Sequence, residues 1–246
     1  MATGVIPHID DLHRHIEASA KRGVAAHLLA GMTVDEVTGV ERRMNALLPL
    51  ALRDLFRATA GIDVAGFGVV DFRGTLPFQL EGFEHALPLV ADDVGNMWVL
   101  DADDAGCLTV LFVSHAPPVV VIQAEGLSAF MVQIFEPRGP ERLIAPLVET
   151  IWRKDPFAAS RIELLSNRDA VVQRFSHDLR MGDFLYDLRG RRPGMGFTWN
   201  PAAPVPIRRA GAALIFASRS PHVLATRCRQ LLMRLWSRLA APVRRA

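Results

Sequence analysis

Hydrophobic positions keep a helical rhythm through the first sixty residues and a strand rhythm after that. From Asp10 to Ala30, Leu12, Ile16, Ala20 and Val24 recur at helical spacing with charged residues between, which predicts one amphipathic helix. Thr33 followed by Glu36 has the form of a capping box. The hydroxyl accepts the N3 amide hydrogen and the carboxylate returns to the cap amide, so a second helix is predicted from Val34 to about Ala46. Leu47-Leu48-Pro49 breaks it. Proline fits the first turn of a third helix, where its missing donor has no partner anyway, and Leu52, Leu55 and Phe56 give that helix an apolar face ending near Gly61.

Short β-leaning runs punctuated by glycine follow, over 66–72, 87–91, 97–101, 108–113 and 119–123. Asp92-Asp93-Val94-Gly95-Asn96 carries turn chemistry, which predicts a hairpin presenting Trp98 on its second strand; 101–106 supplies the next turn. Ser128 is the expected cap of a helix over 129–135. Pro137, Gly139 and Pro140 place a domain edge, giving a domain over 1–139 and an extension over 140–246. In the extension 141–153 reads helical, 161–165 extended, 167–175 helical with Asn167 as cap, and 183–188 extended. A long Gly- and Pro-rich loop over 190–206, a strand over 212–217 and a final helix from Ser220-Pro221 complete it. The fold class is α+β: an antiparallel-rich twisted sheet covered by helices, with an additional α+β C-terminal extension.

Composition narrows the function classes. Of 246 residues 50% are hydrophobic and 22% charged, enough to build a core and too apolar for global disorder. Thirteen Phe, four Trp and one Tyr supply little material for a base-stacking surface. Cys107 and Cys228 stand in no metal-ligand spacing, and both read as free, buried thiols of a reducing compartment. The start lacks the basic and apolar regions of a signal peptide, because Asp10 and Asp11 arrive before any hydrophobic run; a cytoplasmic protein is expected. No stretch reaches the roughly 20 apolar residues of a spanning helix.

Charge is unevenly spread. Residues 201–246 hold nine arginines and no carboxylate side chain, which leaves 19 basic against 26 acidic residues in 1–200. The basic end is expected either to dock on an acidic surface of its own chain or to meet an acidic partner. Leu224, Cys228, Leu231, Leu232, Leu235 and Leu239 would form one side of the last helix, with Arg227, Arg234 and Arg238 opposite. Such a helix docks on its own domain, or lies on an anionic membrane or an acidic partner; membrane contact is expected through this segment alone. No motif positions the arginines for specific nucleic-acid recognition.

Catalytic and metal sets are incomplete. His8, Asp10, Asp11, His13 and His15 crowd together, but the two-residue step from His13 to His15 faces apart on a helix, where a site needs i and i+4. Asp101, Asp103 and Gly106 match positions one, three and six of a calcium loop, yet Ala105 and Phe112 stand where oxygen donors are required. Ser114-His115 and Ser176-His177-Asp178 are adjacent residues that cannot align as a triad, and no Gly-x-Ser-x-Gly elbow exists. With no Walker lysine and no Gly-x-Gly-x-x-Gly, the chain proposes no cofactor. The rival to a binding protein is an enzyme of unrecognised type, which converging ionisable groups around Asp178, Asp183 or Arg189 would favour.

In order, residues 33–135 resemble the SUKH superfamily, the Smi/Knr group. The resemblance rests on Glu36 and Glu41 of an acidic helix, the Leu48-Pro49 break, Leu52 through Phe56 to Gly61, and Asp92-Asp93-Val94-Gly95-Asn96 followed by Trp98, Leu100 and Asp101. Gly126-Leu-Ser128-Ala-Phe130-Met131 is similar to the family's short closing helix; the chain has Ala60-Gly61 where many members have Asn-Gly or Gly-Gly. What the resemblance implies is a noncatalytic α+β domain that binds a protein partner. Bacterial members are read as immunity proteins that neutralise a toxin domain of polymorphic or contact-dependent systems, and fungal members as cell-wall scaffolds. Under that reading Asp92, Asp93, Asp101, Asp103 and Asp104 complement a basic toxin surface, with Trp98 as an aromatic anchor. The plainer alternatives are solvated turn carboxylates and a core tryptophan.

Overall fold

The computed structural model describes residues 6–102, 108–137, 139–180 and 182–219. It is an α+β fold with antiparallel sheets. Helix α1 (Ile9–Lys21) stops well short of Ala30 because Gly23, at φ +82°, turns the chain; Ala26–Leu28 becomes β1 and pairs with β2 (Gly61–Val64). Helix α2 (Val34–Met44) starts at Thr33 with both halves of the capping box in place and ends on left-handed Asn45. Pro49 precedes α3 (Leu50–Ala58). Strand β3 (Gly68–Asp71) pairs back onto β2, completing a small sheet β1-β2-β3.

The central sheet has five strands in the order β4-β5-β6-β7-β9, with β4 Ala86–Ala91, β5 Met97–Ala102, β6 Leu108–His115, β7 Pro118–Ala124 and β9 Gly196–Thr198. Its strands read as nearly continuous apolar runs because both faces are covered. Trp98, Leu100, Val110, Phe112, Val119 and Val121 point into a core shared with α2, α3, the small sheet, α4 (Leu127–Ile134) and α5 (Glu141–Lys154). The alternate residues Val99, Leu111, Val113, Val120 and Ile122 face a second core. A third sheet closes that second core, in the order β10-β11-β8: β10 Ile207–Arg209, β11 Ile215–Ser218 and β8 Phe184–Asp187. Phe184, Tyr186, Leu214 and Phe216 point inward, while Leu185, Ile215 and Ala217 pack against α6 (Arg161–Leu164) and α7 (Ala170–His177) in a third cluster.

Several expectations are corrected. Helix α5 buries Ile144 and Ile151 in the cluster of the N-terminal helices, and a strand, β9, lies within the expected loop 190–206 and extends the central sheet. Gly126, not Ser128, caps α4. Residues 161–164 are helical, started by a capping box between Ser160 and Glu163, and the cap of α7 is Asp169 in place of Asn167. No helix among the described residues is long and apolar enough to cross a membrane. The expected final helix, Cys107 and Cys228 lie outside the described residues.

Candidate functional site

The β4–β5 turn is built from within by one side chain. Asp92 Oδ1 accepts the amide hydrogens of Val94 (3.1 Å) and Asn96 (2.8 Å), and Oδ2 accepts from Asn96 Nδ2 at 2.7 Å. Gly95 takes φ +86°, a conformation that a side chain would strain. From the side, Asn96 Oδ1 accepts the His115 amide hydrogen at 3.4 Å, tying the turn to the β6–β7 connection. Asp92 is therefore spent on the turn. What the turn offers to solvent is Asp93 and Val94, the valine 68% exposed.

Beside the turn stands the first residue of α5. Burial, outweighing a bond from its own amide, together with the charge of nearby Asp92, pushes the Glu141 carboxyl above the usual glutamate value. Two carboxylates thus crowd one edge of the fold. This edge is acidic with an apolar component at its tip.

Two expected contact residues are not on it. Trp98 is 1% exposed: its indole lies against Phe67 and Phe112, with ring centroids 5.3 and 4.8 Å away, and Nε1 donates to Gln123 Oε1 at 3.2 Å. Gln123 in turn donates to Gln133 of α4 at 2.6 Å, so the tryptophan anchors the sheet to its helical layer. Strand alternation explains the correction, since Trp98 falls on the core phase of β5. Asp101 is 0% exposed and is held by Arg209, which takes it out of any turn surface. Asp103 and Asp104 lie outside the described residues.

Other ionisable groups are paired within the chain. His8 caps α1 by accepting the Asp10 amide hydrogen, Asp11 returns to the His8 amide, and Arg14 binds Asp11. Among the described residues no three His, Cys, Asp or Glu side chains gather as a metal site would require. Arg189 grips Asp187 (2.6 Å) and Asp169 (2.9 Å); its hydrogen bond to Asp187, then that to Asp169, raise its pKa against the opposing effect of burial. Asp183 holds Arg208 at 3.0 Å. Ser176 Oγ donates to the Gln173 carbonyl instead of approaching a base. At Asp155 sequence reasoning found nothing, yet Oδ2 accepts from Tyr186 Oη (2.8 Å) and Thr198 Oγ1 (3.1 Å), joining the end of α5 to β8 and β9. No local motif announces that junction.

Two further surfaces are open. Leu47 and Leu50 flank the Leu48-Pro49 break at 82% and 72% exposure. A broad cleft of about 730 Å³ lies between the 81–85 segment and the β10–β11 hairpin. Compared with known proteins, the chain matches no family model, no curated protein and no solved structure.

Proposed function

We propose that this chain is a noncatalytic protein-binding module of the SUKH type, acting in the cytoplasm as a bacterial immunity protein against a toxin domain of a polymorphic or contact-dependent system. The observation that carries the reading is the pre-built β4–β5 turn. Three hydrogen bonds accepted by Asp92 fix it before any partner arrives, and it holds Asp93 and an exposed Val94 at its outermost point. A surface ordered in advance loses little entropy on binding, and a carboxylate next to an apolar side chain suits a basic toxin face with a hydrophobic recess. The family part of the reading rests on the ordered resemblance over residues 33–135. Glu141 adds negative charge on the same edge and would speed encounter with a cationic partner by steering.

The test is co-purification with, and protection against, the toxin-like protein encoded beside this gene. Binding and rescue by the wild type, with Asp93→Arg and Val94→Glu each weakening affinity at least tenfold, is the expected result. A wild-type chain that neither binds nor protects would overturn the immunity reading. Binding unaffected by either substitution would move the contact surface elsewhere.

A further inference from the structure

The cleft of about 730 Å³ has Asn45, Glu81, Glu84 and His85 on one side and Phe175 and Arg208 on the other. Both arginines that reach it are already committed. Arg209 is held by Asp101, and Arg208 donates to the Asp178 carbonyl (2.8 Å) and the Asp183 carboxylate (3.0 Å) while lying over the Phe175 ring. The opposite wall is not committed. Glu84 accepts the Gly82 amide hydrogen at 3.0 Å and a bond from its own amide; it and Glu81 are exposed and form no ion pair among the described residues. His85 Nδ1 lies 2.9 Å from the Met44 carbonyl. A carbonyl can only accept, so Nδ1 carries the hydrogen and Nε2 of the neutral ring remains an acceptor. Glu81, Glu84 and His85 Nε2 present acceptors to the cleft, and an occupant that pairs with them brings donors and positive charge.

The course of the chain supplies one. Arg219, the last described residue, has its Nε 3.6 Å from Asp183 Oδ1, and the other oxygen of that carboxylate holds Arg208 in the cleft wall. The chain thus passes 219 at the rim of the cleft. Residues 220–246 then carry six arginines and no Asp or Glu; taking those six from the chain's 28 basic residues leaves 22 against all 26 acidic ones. At roughly 3.3 Å per extended residue, the eight residues to Arg227 reach about 25 Å.

We propose that residues 220–246 occupy this cleft in the same molecule, with their arginines against Glu81 and Glu84 and their leucines toward Phe175 and its apolar neighbours. Tethering at the rim gives the segment an effective concentration on the order of millimolar, so contacts too weak to hold a separate peptide suffice. The pairs are at the surface and are screened by salt. This occupancy is independent of the toxin-binding edge, which involves none of these residues.

Photocross-linking of the full chain tests it, with p-benzoylphenylalanine replacing Leu231 in one preparation and Thr226 in another. Cross-links are expected within a single molecule, to peptides spanning 42–50, 78–86 or 203–213. Their yield should fall at least fivefold in the Glu81→Lys/Glu84→Lys variant and again when NaCl rises from 50 to 500 mM. Glu81 and Glu84 are exposed, and an unchanged circular dichroism spectrum checks that the variant keeps its fold. Cross-links mapping elsewhere, cross-links joining two molecules, an absence of cross-links, or a yield indifferent to the charge reversal would each overturn the proposal.

Discussion

Arg209 grips the Asp101 carboxylate edge-on, Nη1 to Oδ1 and Nη2 to Oδ2 both at 2.8 Å, with side-chain exposures of 2% and 0%. The same guanidinium donates to the carbonyls of Ala213 (2.9 Å), Ala212 (2.7 Å) and Gly82 (3.2 Å) and lies over the Phe216 ring. One side chain therefore ties the C-terminal hairpin to β5 and to the 81–85 segment. Only the planar fork of an arginine fits so many acceptors at once.

Removing one partner of a buried pair leaves a charge that water cannot reach, at a cost of about 3–5 kcal/mol. Arg209→Met and Asp101→Leu are each expected to destabilise by that amount in urea titrations. The double variant should recover at least half of the loss, because it buries no charge at all. Additive losses in the double variant would show that the two residues do not act as a pair.

How far such ties can be read from a sequence depends on their range. The α2 start was legible because Thr33 and Glu36 signal through their own backbone, three residues apart. Ser160 and Glu163 carry the same signal ahead of a helix of only four residues, too short to show an apolar rhythm of its own. Strand β9 has three residues, and its conformation is imposed by the edge of β7. Asp101 sits in a run of turn-forming residues, and nothing local announces a cation 108 positions away. At the candidate site, the turn and its residues were legible from local chemistry. The division between the structural Asp92 and the offered Asp93 and Val94 was not, since it depends on which carboxylate folds back.

Asp92→Ala removes three acceptor contacts from the β4–β5 turn. Part of that turn remains solvated, so the expected loss is about 1–2 kcal/mol, less than for a core residue. Amide exchange at Val94 and Asn96 should accelerate at least tenfold while that of β6 is unchanged. Asp93→Ala, by contrast, should leave stability within about 0.5 kcal/mol of wild type, because it holds nothing together. Equal losses from the two substitutions would contradict the division of labour between them.

Glu141 titrates above 4.5 in the folded chain, through burial first and Asp92 second, opposed by a bond from its own amide. A raised carboxyl pKa means that the folded state holds its proton more tightly than the unfolded state. Its stabilising contribution is thus complete below about pH 4.5 and is lost as pH rises through the folded value. Glu141→Gln is expected to raise Tm at pH 7 and to match wild type at pH 3.5. A Tm at pH 7 equal to or below that of wild type would show that the carboxylate is welcome at this edge.

Gly196 is where the second half of the chain is admitted to the central sheet. A Cβ placed there would stand 2.2 Å from the Val120 carbonyl oxygen and 2.9 Å from the Val121 Cα, both backbone atoms of β7 that no rotamer change can move aside. Gly196→Ala therefore has to push β9 away from β7, with loss of the Val120–Phe197 and Val119–Thr198 pairing beside it. The displacement would also strain the bond from Thr198 to Asp155, and with it the junction with α5. A cost of about 3 kcal/mol is expected, at the upper end for an inserted methyl because the obstacle is backbone. Exchange protection should fall at Phe197 and Trp199 and in residues 184–187, and stay intact in α2 and α3. If the loss were uniform across the fold, the two halves would unfold as one unit with no weak seam at β9; if stability were unchanged, the close approach of β9 to β7 would be wrong.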